Sequence, residues 1–107
     1  MNEPADRRAE ERFAISSDTF CTFVSPVLED FGPAKIKNIS LEGIGLVVAH
    51  RVEPGSLLAV NLLNPVRGFV KVVLVRVVHT TAVQAGYLVG GTFSSPLTYQ
   101  ELTTLVL

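Results

Sequence analysis

The chain has 107 residues, a formal net charge of -1, and a hydrophobic share of 48% with no Trp. This length suits one domain with a single core, and so apolar a composition fits a folded chain rather than a disordered one. A near-neutral charge excludes coating of nucleic acid or anionic membrane by bulk electrostatics, so any anion site must be local. The lone Cys21 excludes an intrachain disulfide and any multi-thiolate zinc site, and it suits a reducing compartment, with the residue read as a small core side chain.

In chain order, residues 1–12 form a charged arm in which Arg7, Arg8 and Arg12 stand among Asp6, Glu10 and Glu11. The start "MNEPADRR" balances two acids against two arginines and lacks an apolar h-region, so a signal peptide is not expected. Composition changes abruptly at Phe13. The run "FAISSDTFCTFV", Phe13 to Val24, predicts a first strand, irregular near Ser16 to Asp18. "SPVLEDFGP" is a connection. "AKIKNIS" then alternates, with Lys35 and Lys37 on one side and Ala34, Ile36, Asn38 and Ser40 on the other. A glycine-containing turn at "LEGIG" leads into the strand "IGLVVA".

After the Pro-Gly turn of "HRVEPGS", the runs "LLAVNLL" and "RGFVKVVLVRVVHT" form the most β-prone half of the chain, and Gly68 is a candidate bend in the longer one. "AVQAG" is a turn, and "YLVGGTF" predicts a last strand. Six or so short strands at fairly even spacing predict a closed antiparallel barrel or a small sandwich. In the tail "SPLTYQELTTLVL", Thr98 and Glu101 have the spacing of a capping box, and Leu102, Leu105 and Val106 share one face of a predicted short helix. That face needs the barrel or a second subunit to cover it. The apolar runs are too short to span a bilayer as helices, so no membrane span is expected.

Catalytic patterns are missing. His50 and His79 are isolated, with no second histidine at ligand spacing and no CxxC, so no metal site is expected. Neither a GxSxG elbow nor a phosphate-binding GxxxxGK[ST] loop is present, and the Gly43 and Gly45 pair lacks the third glycine of a dinucleotide fingerprint. The acids lie mainly in the arm and in loops near Lys or Arg, as solvated surface does. Neither an enzyme nor a bound cofactor is expected.

Two short motifs remain. In "NISLEG", Asn38 and Ser40 would present an amide and a hydroxyl side by side on an extended chain, and Gly43 would permit a tight turn beside them. The plainer reading is a solvent-facing strand end with an ordinary glycine turn. Arg8 and Arg12 are separated by three residues and fall on one side of the chain, where two guanidiniums can clamp phosphates or the O6 and N7 edge of guanine. Their plainer reading is pairing with Asp6, Glu10 or Glu11, worth about 0.3–0.5 kcal/mol per pair.

Taken together, RxxxR in "RAEER", a strand, and then [D/N]xSxxG in "NISLEG" resemble the two signature motifs of the PilZ domain family, in the family's order. "GGTF" resembles the family's closing GxxF, with Gly90 and Phe93 in place. The resemblance runs from about Arg7 to Phe93. It implies a six-stranded antiparallel β-barrel with a short C-terminal α-helix, divided as an arm at 1–12, a barrel at 13–94 and a helix at 95–107. It further implies a non-enzymatic bacterial, cytoplasmic receptor for the second messenger cyclic di-GMP, bound through Arg8, Arg12, Asn38, Ser40 and Gly43. Arg7 is an additional cation for a stacked, two-molecule form of the ligand. Because an amide offers one acceptor oxygen where a carboxylate offers more, Asn38 implies weaker guanine recognition than Asp would give.

The expected mechanism is ordering of the arm over the ligand, which alters contacts with an unidentified downstream protein; the chain itself is a monomer or weak homodimer. Two alternatives stand beside it. One is a ligand-free adaptor of the same fold, acting only through protein contacts. The other is a small barrel binding single-stranded nucleic acid, disfavoured by the charge and by few aromatics outside the apolar strands.

Overall fold

Residues Leu57–Asn64 show how the sheet is built. Leu58, Val60, Leu62 and Asn64 are buried while the residues between them are not, the period of 2 that an extended strand imposes on a surface with one dry face. The same alternation holds Val73, Val75 and Val77 against that core. A computed structural model describes residues 11–24 and 33–107 of the chain. Its strands are β1 (Phe20–Phe23), β2 (Lys35–Ile39), β3 (Gly43–Val48), β4 (Leu57–Asn64), β5 (Phe69–Val83) and β6 (Gly86–Phe93), followed by the helix α1 (Tyr99–Val106).

The strands form one antiparallel sheet in the order β1-β4-β5-β6-β3-β2. Curling brings its two edges towards each other, where the Cys21 thiol of β1 lies 3.7 Å from the carbonyl oxygen of Ala34, just before β2. The expected six-stranded antiparallel fold with a C-terminal helix is met as a half-barrel. Its concave side holds Ile39, Ile44, Leu46, Val60, Leu62, Val75 and Val89, all essentially without solvent contact. Cys21 belongs to this core, and burial pushes its thiol up to about 11, so it stays protonated at neutral pH.

One end of the half-barrel is covered by α1. Thr98 caps the helix: its hydroxyl accepts the Glu101 N–H at 3.1 Å, and the Glu101 carboxylate accepts the Thr98 N–H at 2.9 Å, which satisfies donors the first turn would leave orphaned. Leu102 and Leu105 enter the core and Val106 packs against it. A buried polar cluster ties the helix to the sheet. Asn64 donates to Thr19 at 3.0 Å and accepts from the Arg67 N–H at 3.1 Å, while the Thr19 hydroxyl donates to the carbonyl of Leu105 at 2.8 Å.

Two local expectations change. The strand predicted over Phe13 to Val24 is interrupted. Phe13 forms an isolated bridge with Ile39, a turn occupies Ser17 and Asp18, and the regular strand starts only at Phe20. Gly68 does not bend the long strand. With φ of 67° it closes a 3₁₀ turn at Pro65–Arg67 before that strand begins, a left-handed conformation that glycine takes without penalty. The irregularity in β5 lies instead at Val77/His79.

Glu101 also pairs with Lys71 at 2.8 Å. The Lys71 hydrogen bond first, and the Thr98 N–H second, hold the Glu101 carboxyl below its usual value near 4.5. A lowered folded-state pKa contributes stability that is fully present above the unfolded value and is lost as pH falls through the folded one. Thermal melts from pH 7 down to pH 3 should therefore show an acid-dependent loss in the native chain, up to about 1 kcal/mol of it from this pair, that is missing from Glu101→Gln. Parallel losses in the two proteins would mean that the pair contributes nothing.

Candidate functional site

The outer wall of the half-barrel carries a row of four residues that face one another across adjacent strands: Asn38 on β2, Gly45 on β3, Gly90 on β6 and His79 on β5. Both ends of the row are set by β-bulges, between Ile36 and Asn38 in one strand and between Val77 and His79 in the other. Ile36 and Val77 are core residues, so strict alternation would aim Asn38 and His79 inward as well. The extra residue in each strand, Lys37 or Val78, reverses the phase, so that each polar side chain turns outward and Ile39 takes the inward place after Asn38.

The two glycines leave room for these side chains to lie down on the sheet. A β-carbon at Gly45 would stand 2.8 Å from the Asn38 side-chain oxygen, and one at Gly90 would stand 2.3 Å from His79 Nε2. Arg12 completes the arrangement. The residue after it, Phe13, exchanges two backbone hydrogen bonds with Ile39, at 2.8 and 2.9 Å, and this holds Arg12 beside β2. Its Nη1 donates to Asn38 Oδ1 at 3.0 Å. Arg12, Asn38, Gly45, His79, Leu88 and Gly90 line a depression of about 230 Å³. No carboxylate is among them, so the depression offers cationic and amide donors and suits an anion or the acceptor edge of a base.

The candidate residues fall into three groups. Arg12 and Asn38 are brought together. Ser40 and Gly43 shape the turn that follows β2. Ser40 is only 2% exposed, and its hydroxyl accepts the N–H groups of Gly43 at 3.0 Å and Glu42 at 3.3 Å. It does not stand beside Asn38, because the bulge places Asn38 outward and β2 has ended before Ser40. Gly43 is not among the residues with positive φ. It is required for close approach, since a β-carbon there would lie 2.5 Å from the carbonyl oxygen of Gly91 and 3.4 Å from Arg12 Nη2. Arg7 and Arg8 lie outside the described residues.

Sequence reasoning missed His79, Gly45, Leu88 and Gly90 as parts of this site. For His79 the available signal was misleading: in "VKVVLVRVVHT" it keeps step with Val73, Val75 and Val77, and nothing in the residue types marks Val78 as the extra one. The adjacent pair Gly90 and Gly91 carried a weak sign of close backbone approach. Among the described residues, no group of His, Cys, Asp and Glu could hold a metal ion, and no helix is long and apolar enough to cross a membrane.

A profile of the PilZ domain family matches residues 6–107. No curated protein and no solved structure matches the chain.

The glycines separate two kinds of requirement. Gly43→Ala meets backbone and should destabilise the fold by about 1–3 kcal/mol. Gly45→Ala meets only the movable end of Asn38 and should leave the denaturant midpoint nearly unchanged. Equal midpoints for both variants would contradict the close approach of β3 to β6.

Proposed function

Because the chain belongs to the PilZ domain family, whose members are in general cyclic di-GMP receptor domains and not enzymes, we propose that it binds cyclic di-GMP on the outer wall of the half-barrel, with Arg12 as the anchoring cation. The observation that carries this reading is the Arg12–Asn38 hydrogen bond of 3.0 Å at the rim of a depression with no carboxylate among the described residues that line it. Cyclic di-GMP has two phosphates and two guanines, which are acceptors for planar cationic donors. Asn38 Oδ1 takes an Arg12 N–H with one of its two lone pairs, so the amide's fully open contribution to a ligand is its NH₂ group. Asn38 then acts as a donor to phosphate or to the guanine O6 and N7 edge, and as the group that fixes the guanidinium plane.

The depression, at about 230 Å³, is smaller than the roughly 300–1,000 Å³ that encloses a drug-sized ligand. It suits one base with its phosphate. The rest of the ligand is to be covered by the arm residues that precede Arg12, with Arg8 supplying the second guanidinium of the RxxxR motif and Arg7 a further cation for a second ligand molecule. Ser40 and Gly43 serve the site by holding the turn that carries β3 past Arg12. Settling of the arm that precedes Arg12 over the ligand creates or hides a surface for a downstream protein, and this change is the signal. A cytoplasmic location fits such a receptor. The ligand-free adaptor is the second reading, and an intact Arg12–Asn38 pair argues against it.

Titration calorimetry with cyclic di-GMP, with cyclic di-AMP and GTP as controls, tests the assignment. Arg12→Ala and Arg8→Ala should each weaken binding by about 1–3 kcal/mol, the worth of a bidentate guanine or phosphate contact. Unchanged isotherms for both would remove the site; a native chain that takes up no cyclic di-GMP would leave the adaptor. Stoichiometry decides the role of Arg7: two ligands per chain falling to one in Arg7→Ala supports it, and one ligand per chain in both proteins removes it.

A further inference from the structure

His79 belongs to neither motif, yet it closes the row on which the depression is built. Its ring does not rise from the sheet. Nε2, Cε1 and Cδ2 would lie 2.3, 2.5 and 3.1 Å from a β-carbon at Gly90, so the imidazole occupies the place of the side chain that Gly90 lacks. The amide of Asn38 does the same over Gly45, the cross-strand neighbour of Gly90. Directly opposed positions have β-carbons about 4.5–5.5 Å apart. Imidazole, amide and guanidinium therefore follow one another across the wall as three planar groups laid over or beside glycine, with Leu88 in the same lining.

From this geometry we infer that His79 is the stacking platform of the site, the surface on which a purine ring lies face-on while its edge meets Asn38 and Arg12. The inference rests on the cyclic di-GMP reading and adds to it a residue and a direction of approach. These distances lay the outer edge of the imidazole along the wall over Gly90; the inferred platform has the ring face turned outward, and every base presents a face to it whatever its edge. The division of labour follows: Arg12 and Asn38 read the charge and edge of the ligand, and His79 contributes affinity that is tolerant of base identity. Gly90 takes part by leaving space, because any side chain there would lift the ring off the wall.

Calorimetry with cyclic di-GMP on the full chain tests this with three variants. His79→Ala should weaken binding about ten-fold or more, as loss of one base–aromatic stack does. His79→Phe should restore binding to within a few-fold of the native chain, since the stack needs a ring and not a nitrogen. Gly90→Ala keeps the histidine but displaces its ring, and it should weaken binding about as much as His79→Ala. His79 is exposed, so its variants should keep the native melting temperature. In proton NMR, the His79 ring resonances should shift upfield when ligand is added, a ring-current signature that a structural role would not produce.

Binding lost in Arg12→Ala but unchanged in His79→Ala would overturn the platform and leave the proposed function standing. Failure of the native chain to bind would overturn both. Weakening in His79→Ala that His79→Phe does not rescue would assign the effect to an imidazole hydrogen bond and overturn stacking.

Discussion

The structure depends most on the phase of its strands. A strand with one buried face must send every second side chain inward, and a single added residue inverts everything after it. In β2 and β5 that inversion falls immediately before a polar residue, Asn38 in one and His79 in the other. Both would otherwise sit in a core lined by Ile36, Leu46, Val75 and Val77, where an unpartnered amide or imidazole is costly. The bulges avoid that cost and concentrate two polar groups on one outer row. They also explain why the intervening positions are Gly45 and Gly90: side chains there would stand where the amide and the imidazole lie.

A second constraint links the site to the far end of the barrel. Arg12 sits next to Phe13, whose backbone is clamped to Ile39, and three residues later the Ser16 N–H reaches the carbonyl of Leu105 at 3.0 Å. That carbonyl also accepts from the Thr19 hydroxyl, and Thr19 accepts from buried Asn64. The stretch from Arg12 to Thr19 is thus fastened at one end to the wall and at the other to the last turn of α1 and the end of β4. The two hydrogen bonds of the Thr19 hydroxyl, to the Leu105 carbonyl and from Asn64, are buried, where a hydrogen bond is stronger than in water and expensive to break. Displacement of Arg12 is therefore resisted by the helix as well as by the strand beside it.

The fold was legible because burial writes itself into alternation. "LLAVNLL" and the first part of "VKVVLVRVV" announce their inner faces, and Thr98, Glu101, Leu102 and Leu105 announce the capped helix. Two of the six residues that line the described site were legible too, Arg12 and Asn38. What failed was phase. Lys37 and Val78 look like ordinary strand residues, so the alternation drawn through "AKIKNIS" put Asn38 with Ile36, and that drawn through β5 hid His79. The position of Ser40 was illegible for a related reason: a hydroxyl near a strand end can face outward beside Asn38 or turn to the next backbone N–H groups, as it does here, and residue type alone does not decide between them.

Preorganisation is the common thread between the scaffold and the proposed site. A long arginine on an open surface loses rotamer freedom when it grips a ligand, a loss that can reach about 1.5–2 kcal/mol. Here Asn38 already accepts from Arg12, and the Phe13–Ile39 pair already fixes the backbone beside it, so much of that ordering is completed by folding. His79 is likewise pressed into the space over Gly90 before any ligand arrives. Groups held in place in the free protein improve affinity by reducing what binding must still order. In the proposed site the barrel wall therefore presents Arg12, Asn38 and His79 already positioned, which lowers the ordering that a ligand must still impose on these three side chains.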